Sequence, residues 1–273
     1  MEIGIVGNGF VGNAINEGFK NHYNMIVYDK NPQKSPNILQ ELYNLKYIFI
    51  CVPTPMDNKG NLDLSIVKAA IKELGGHKTL IIKSTITPAG ALDLIKSFSQ
   101  HTLVFNPEFL TERTAVEDFK NPSRIVLGGD PEAVNHIFNI YERIFPDTYI
   151  NYILTDAKTA CFIKYFCNCF FAAKISLINE FKQTAEIENI DWPVALGGLL
   201  SSGWVNHMHT QCPGPDGKKG FGGKCFPKDL NAFIEYSKSL GISPLMLEAA
   251  WEKNLEVRIN SDWLAIPGVV NGK

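Results

Sequence analysis

The chain has no block of like charge, no low-complexity segment, no internal repeat and few cysteines. Each absence removes a class of protein. With 26 basic and 28 acidic residues it carries no bulk attraction to nucleic acid or to an anionic membrane surface, and neither is expected as a partner. Six cysteines, at 51, 161, 167, 169, 212 and 225, are too few and too scattered for a disulfide framework, so a reducing cytoplasm is the expected setting. No apolar run is read as reaching transmembrane length, and the N-terminus enters a strand pattern with no charged and apolar leader. What is there is a chain of 273 residues of globular composition, long enough for two modest domains or one large one.

Residues 2–6 read as a short buried strand that runs into Gly7-Asn8-Gly9-Phe10-Val11-Gly12 and then a helical pattern through Ala14, Ile15 and Phe19. A second strand at 25–28 ends in Asp29, followed by Lys30. This is the dinucleotide fingerprint in its required setting of strand, glycine turn, helix, strand and acid. Gly7 allows the tight turn, Gly9 admits a pyrophosphate close to the backbone, and Gly12 lets helix and strand pack. Asp29 accepts hydrogen bonds from a ribose and repels a 2′-phosphate, which selects NAD over NADP. Further buried runs of parallel-strand type follow at 47–52, 79–83, 102–105 and 125–127, with helical stretches near 63–73, 88–98 and 131–143 between them. Val52-Pro53-Thr54-Pro55 and Ser84-Thr85-Ile86-Thr87-Pro88 lie at strand ends, where open α/β sheets bind ligands. Each also reads as a turn with an N-cap threonine.

From Thr155, read as an N-cap, to about Asn189 there is no proline or glycine, and a continuous helix there would span roughly 50 Å. Its early turns are apolar nearly all round (Phe162, Ile163, Tyr165, Phe166, Phe170, Phe171), which predicts burial, in part by another subunit. Lys164 and Asn168 interrupt that surface four residues apart, on one face. Such a lysine is either paired and functional or snorkels to the surface. Helices are predicted near 193–201, 227–240 and 244–259, with a long irregular loop between Gly203 and Gly223. That loop reads as a lid or binding loop. Its His207-Met208-His209 and Cys212 lack an evident fourth ligand for zinc, and no metal is expected. Cys167 and Cys169 read as packing residues. The predicted architecture is α/β: a Rossmann-type doubly wound parallel sheet at 1–154, followed by an all-helical domain at 155–273 built on one long central helix.

The most informative stretch is Gly220-Phe221-Gly222-Gly223-Lys224-Cys225-Phe226-Pro227-Lys228-Asp229. Pro227 suits the first helical position, which needs no N–H. Cys225 then lies at the positive end of a helix dipole between Lys224 and Lys228, and both effects favour a thiolate. Asp229, four residues on, can face the same cleft.

Taken together these residues resemble the UDP-glucose/GDP-mannose dehydrogenase family. The likeness rests on the fingerprint at 7–12, the segments at 52–55 and 84–90, and Asn106-Pro107-Glu108-Phe109-Leu110-Thr111-Glu112. It extends to Lys164 with Asn168, Asn179-Glu180 and the cysteine stretch at 222–229. The resemblance implies NAD-dependent four-electron oxidation of a nucleotide-sugar primary alcohol to a carboxylate, of the UDP-glucose to UDP-glucuronate type. It implies Cys225 as nucleophile, Lys164 and Asn168 as stabilisers of the reacting oxygen, and Asp229 as the residue that places a water. Glu112 is then the base in thioester hydrolysis, supported by Thr85 and Glu108. Phe109, Leu110, Lys164, Asn168, Phe221 and Gly222 would hold the sugar. The segment Gly7 to Gly12, Asp29, Lys30, Val52, Pro53, Thr54, Ser84, Thr85 and Lys228 would hold the cofactor. A homodimer packed along the helix at 155–189 is also implied. Against the family, the sequence is expected to lack the C-terminal UDP-binding domain, and it has Cys161 in place of a glutamate and Arg113 in place of a glycine. No recognisable arginine stands near 204–206, and the loop at 207–219 is longer, with Lys218 and Lys219 as candidate phosphate contacts. Two other readings stay open: a two-electron NAD dehydrogenase of the β-hydroxyacid type, and a catalytically reduced nucleotide-binding relic.

Overall fold

The computed structural model describes residues 1–146 and 149–271. Seven strands form one sheet: β1 (Glu2–Val6), β2 (Asn24–Tyr28), β3 (Tyr47–Ile50), β4 (Thr79–Ile82), β5 (Thr102–Phe105), β6 (Arg124–Gly129) and β7 (Asn151–Thr155), in the order β2-β1-β3-β4-β5-β6-β7. The described helices are α1 (Phe10–Phe19), α2 (Ser65–Lys72), α3 (Pro88–Ser97), α4 (Ala115–Lys120), α5 (Pro131–Glu142), α6 (Ala157–Ile187), α7 (Trp192–Ser201), α8 (Phe226–Ser239) and α9 (Leu245–Val257). The chain divides into two compact units, the first made of Met1–Thr54 and Asp63–Lys164, the second of Pro55–Leu62 and Tyr165–Lys273.

In the first unit β1 to β5 are parallel, as the buried runs predict, because a strand covered on both faces shows no alternation. The sheet has one reversal. β6 pairs antiparallel with β5, and β7 follows it in parallel, so the sheet is mostly rather than wholly parallel. The chain leaves β5 at Asn106 and returns along the same edge after the short α4. A buried apolar run reads the same in either direction, which is why pattern alone missed this. β7 was also missed; it is thinly covered, and Thr155 is its last residue rather than a helix cap. The cap of α6 is Asp156, whose carboxylate accepts from the Thr159 amide at 3.0 Å and its hydroxyl at 2.6 Å. One core layer joins Ile3, Ile5, Phe19, Phe49, Leu127, Ile137 and Tyr141. The other, on the opposite face, joins Ile48, Ile50, Val67, Ile71, Leu80, Leu94 and Cys161. Cys161 therefore fills core, and burial pushes its thiol up.

The second unit is helical. Cys169, Ala172, Phe221, Leu230 and Ile234 form its main cluster, and Met56, Trp263, Val269 and Val270 a second. α6 is long and apolar enough to cross a membrane by length and composition, which corrects the expectation that no segment reaches that length. It also carries the buried polar residues Lys164, Asn168, Ser176 and Asn179, as the core helix of a folded domain does. Its face at Phe162, Phe166, Phe170, Leu177 and Phe181 is exposed in the single chain, so burial of these rings does not come from the chain itself.

Candidate active site

The nucleotide cradle follows from three glycines. Gly7 has φ +95°, and a Cβ there would press on the Cys51 carbonyl. A Cβ on Gly12 would overlap the Gly7 carbonyl, which fixes how closely α1 approaches β1. At Gly9 a Cβ would meet nothing, so open space lies above the backbone just where α1 begins without a side-chain cap. The Asp29 carboxylate accepts from the Asn8 amide at 2.6 Å and the Asn31 amide at 2.8 Å, which pins it at the end of β2. Asn8 Oδ1 is buried and has no protein partner. Room beside a helix N-terminus, a fixed carboxylate and an orphan polar atom fit a dinucleotide. Phe10 and Val11 open α1, and Lys30 is exposed after Asp29. At the neighbouring strand ends Ser84 donates to the Val52 carbonyl at 2.6 Å, Thr54 is buried, Pro53 exposed and Thr85 half-buried. Thr87 caps α3 by accepting from the Gly90 amide at 3.1 Å, so the turn reading of that stretch holds as well.

A second group in the same unit surrounds Lys164. Its side chain is only 4% exposed, so it does not snorkel. Nζ donates to the Glu108 carbonyl at 2.6 Å and to Glu108 Oε1 at 3.0 Å. The Phe109 ring lies 5.4 Å from Nζ and 4.1 Å from the Arg124 guanidinium, within cation–π range of both. Leu110 donates its amide to Glu108 Oε2 at 2.7 Å, so the Asn-Pro-Glu-Phe-Leu turn is held by its own carboxylate. Glu112 is exposed and starts a single 3-10 turn, Glu112–Thr114.

The second unit carries the cysteine. Cys225 is the N-cap of α8 and half-buried; Phe226 is the first helical residue and Pro227 the second, one place later than expected. The Cys225 side chain makes no capping hydrogen bond to the first turn of α8. Asp229 is 1% exposed; its Oδ2 accepts from Asn168 Nδ2 at 2.6 Å, and its Oδ1 takes the ammonium of Lys228. Lys228 is thus occupied by the neighbouring carboxylate. Phe221 lies in packed core, against Phe226 and Trp251.

Residues to which the sequence assigned no role fix the loop before Cys225. Asn254 is fully buried and grips the backbone of Phe221, accepting its N–H at 2.7 Å and donating to its carbonyl at 3.0 Å. Asn179 Oδ1 accepts from the Gly220 amide at 3.1 Å. Arg258 donates to Asp216 and Asp262 at 2.7 and 2.8 Å, while Asp262 accepts from the Gly223 amide at 3.1 Å. A Cβ on Gly222 would overlap Arg258 and Asp262. Asn254 and Arg258 sit four apart on α9 and its cap, and that spacing of two polar residues was the available clue. Of the candidate phosphate contacts, Lys219 is paired with Glu186 at 2.7 Å and Lys218 is exposed. His209 stacks on Phe171 at 4.5 Å, and Cys212 donates to Asn179 Oδ1 at 3.1 Å. Among the described residues no group of three His, Cys, Asp or Glu side chains could hold a metal ion.

The NAD binding domain model of the UDP-glucose/GDP-mannose dehydrogenase family matches residues 35–145, and the central domain model of that family matches 158–256. The chain is a member of the UDP-glucose/GDP-mannose dehydrogenase family, with NAD as the cofactor its first unit is built to bind. A UDP-glucose 6-dehydrogenase of Rickettsia bellii is 35% identical over 230 residues, covering 80% of this chain and 51% of that protein. UDP-glucose 6-dehydrogenase TuaD of Bacillus subtilis is 33% identical over 240 residues, covering 83% and 50%. The chain therefore spans about half the length of the curated relatives it matches. In fold it is similar to a UDP-glucose dehydrogenase of Pyrobaculum islandicum, with TM-score 0.83 at 24% identity over 93% of this chain and 68% of that one.

Proposed function

We propose that the protein is an NAD-dependent dehydrogenase that oxidises the primary alcohol of a nucleotide sugar to the carboxylate, of the UDP-glucose to UDP-glucuronate type. The observation that carries this reading is Cys225 at the start of α8 with Asp229 one turn on, its carboxylate bonded to Asn168. A two-electron oxidation of an alcohol needs no nucleophile; going on from aldehyde to acid does. Bound NAD supplies the two-electron acceptor for each oxidation.

The residues of the chain have separate tasks. Cys225 Sγ adds to the aldehyde carbon, and the carbonyl oxygen takes the displaced electron pair. Lys164 balances that oxyanion, and Asn168 hydrogen-bonds the same oxygen. Removal of two electrons and the C–H hydrogen from the thiohemiacetal leaves a thioester on Cys225. A water placed by Asp229 and Asn168, supported by Thr85 and Glu108, loses a proton to Glu112 and attacks the thioester carbon. The C–S bond then breaks, releasing the Cys225 thiolate and the acid, whose remaining proton passes to solvent to leave the carboxylate product. Phe109 and Leu110 shape the sugar subsite.

Incubating the protein with NAD and a panel of nucleotide sugars while following NADH tests the reading. Two NADH per substrate and acid as product are expected, and Cys225→Ser should stop at aldehyde or a trapped adduct. One NADH per substrate in wild type would favour a two-electron dehydrogenase. That second reading rests on the dinucleotide domain, the helical second domain and the Lys164 and Asn168 pair, which enzymes of the β-hydroxyacid type share. NAD binding with no NADH from any substrate would leave only a nucleotide-binding role.

We also propose a cytoplasmic homodimer with neither nucleic acid nor membrane as partner. Phe162, Phe166 and Phe170 repeat every four residues on the exposed face of α6, an apolar stripe a second copy would cover. Light scattering should give twice the chain mass for wild type and the single mass for Phe166→Asp with Phe170→Asp. A monomeric wild type would refute the dimer.

A further inference from the structure

One buried cation in the first unit has no task in the chemistry above. Lys83 follows β4 directly and is 6% exposed. It lines a cavity of about 230 Å³ together with Asn106, Glu108, Arg124 and Tyr141. Its Nζ donates to Asn106 Oδ1 at 3.1 Å, and the Tyr141 hydroxyl donates to the same oxygen at 2.6 Å. Asn106 Nδ2 donates to the Val126 carbonyl on β6 at 2.8 Å. Both ends of the amide are therefore used, and the side chain of Asn106 cannot turn without breaking a buried bond. Asn106 opens the turn that ends β5, and two residues later the carbonyl and carboxylate of Glu108 take up Lys164.

Lys83 is an expensive way to hold an amide. Its hydrogen-bond partner is neutral, and a buried ammonium without a carboxylate in contact is costly. The groups facing it are the Cys51 thiol after β3, the Glu108 carboxylate after β5, the Tyr141 hydroxyl on α5 and the Lys164 ammonium on α6. Burial pushes Lys83 down to about 8; Cys51 and Glu108 act in the opposite sense, and Lys164 adds to the depression. Glu108 thus interacts with two ammonium groups, Lys164 in contact and Lys83 through its charge alone.

We propose that Lys83 is a positioning residue for Lys164: its ammonium anchors, through Asn106, the turn whose carbonyl and carboxylate hold Lys164 in place. The inference deepens the function proposed above and rests on it only for what Lys164 does in turnover. Lys83 touches neither substrate nor cofactor in this account. It sets where the Glu108 carbonyl points, and so where the charge of Lys164 is held.

The test uses the full chain labelled with [ε-13C]lysine and free of ligand, with the Lys164 signal assigned as the one lost in Lys164→Met. Lys83→Met should move the Lys164 signal and Lys83→Arg should return it toward the wild-type position. Asn106→Ala, which severs the same relay, should move it too and answers the question if Lys83→Met fails to fold. In turnover with a nucleotide sugar, Lys83→Met should lower kcat on the order of tenfold to a hundredfold and leave KM within about threefold. An unmoved Lys164 signal in Lys83→Met and Asn106→Ala overturns the inference, whatever kcat does. A moved signal in a protein that makes no NADH from any nucleotide sugar upholds the inference and overturns the proposed function.

Discussion

Asn254→Ala should loosen the cysteine loop and destabilise the second unit by an amount the structure sets. Asn254 is fully buried, and its two bonds go to the N–H and the C=O of one residue, Phe221, which is itself 3% exposed. Truncation strands both backbone groups where water does not reach them. Each stranded group costs about 1–3 kcal/mol, so the sum is roughly 2–6 kcal/mol before any cavity is counted. Asn254→Leu restores most of the volume and none of the bonds, which separates the polar loss from the cavity. Asn254→Asp keeps an acceptor for the Phe221 N–H but turns a charge on its carbonyl, and should not rescue. Urea denaturation gives the stability loss, and alkylation of Cys225, read at its own peptide by mass, reports on the loop. The midpoint should fall in all three variants, and the rate at Cys225 should change without a matching change at buried Cys169. A loss under about 0.5 kcal/mol in Asn254→Ala would refute the idea that this clamp fixes the loop.

Gly222→Ala should act in the same direction from the other side, because its Cβ would collide with an arginine already pinned by two carboxylates. Thermal unfolding and Cys225 alkylation would both register it; wild-type behaviour in both would count against the clamp. Stability should depend on pH through Lys83 and Cys51 with opposite signs. Burial lowers Lys83 from 10.5 to about 8, so the unfolded chain binds more protons in that window and stability rises with pH there by a few kcal/mol. Burial raises Cys51 from 9.0 to about 12, so its contribution is fully present below pH 9 and is lost toward pH 12. Denaturation across pH 7–11 should therefore lose its rising limb in Lys83→Met and its falling limb in Cys51→Ala; unchanged profiles would contradict both. Asp29→Ala should weaken NAD binding about tenfold, roughly 1.4 kcal/mol, while leaving the melting temperature of the ligand-free protein within a few degrees. Calorimetry giving equal affinity would remove Asp29 from the cradle.

Much of the candidate site was legible because its signals are local. A glycine that must hold φ +95°, as Gly7 does, or a cysteine two residues before a proline at a helix start, declares itself within a few positions. The buried strands were found for the same reason, since a short apolar run bounded by turns suffices. What was missed depends on partners far along the chain. Lys83 looked like a strand-end lysine; its bond to Asn106 spans 23 residues, and that to Tyr141 through the same amide spans 35 more. Asn254 meets Phe221 across 33 residues, and its spacing from Arg258 marks a polar face without naming the partner.

Sequence alone determined the dinucleotide cradle, the long α6, the cysteine at the start of α8 and hence the family, since backbone sterics, helix periodicity and motif spacing act over short stretches. Tertiary structure decided the rest. It turned β6 against β5, left the phenylalanine stripe of α6 exposed in the single chain, and buried Lys164 on Glu108. Strand direction, exposure and charge pairing are set by which distant segments meet, and burial fixes the outcome, because a polar group taken out of water must find its partner wherever the fold supplies one.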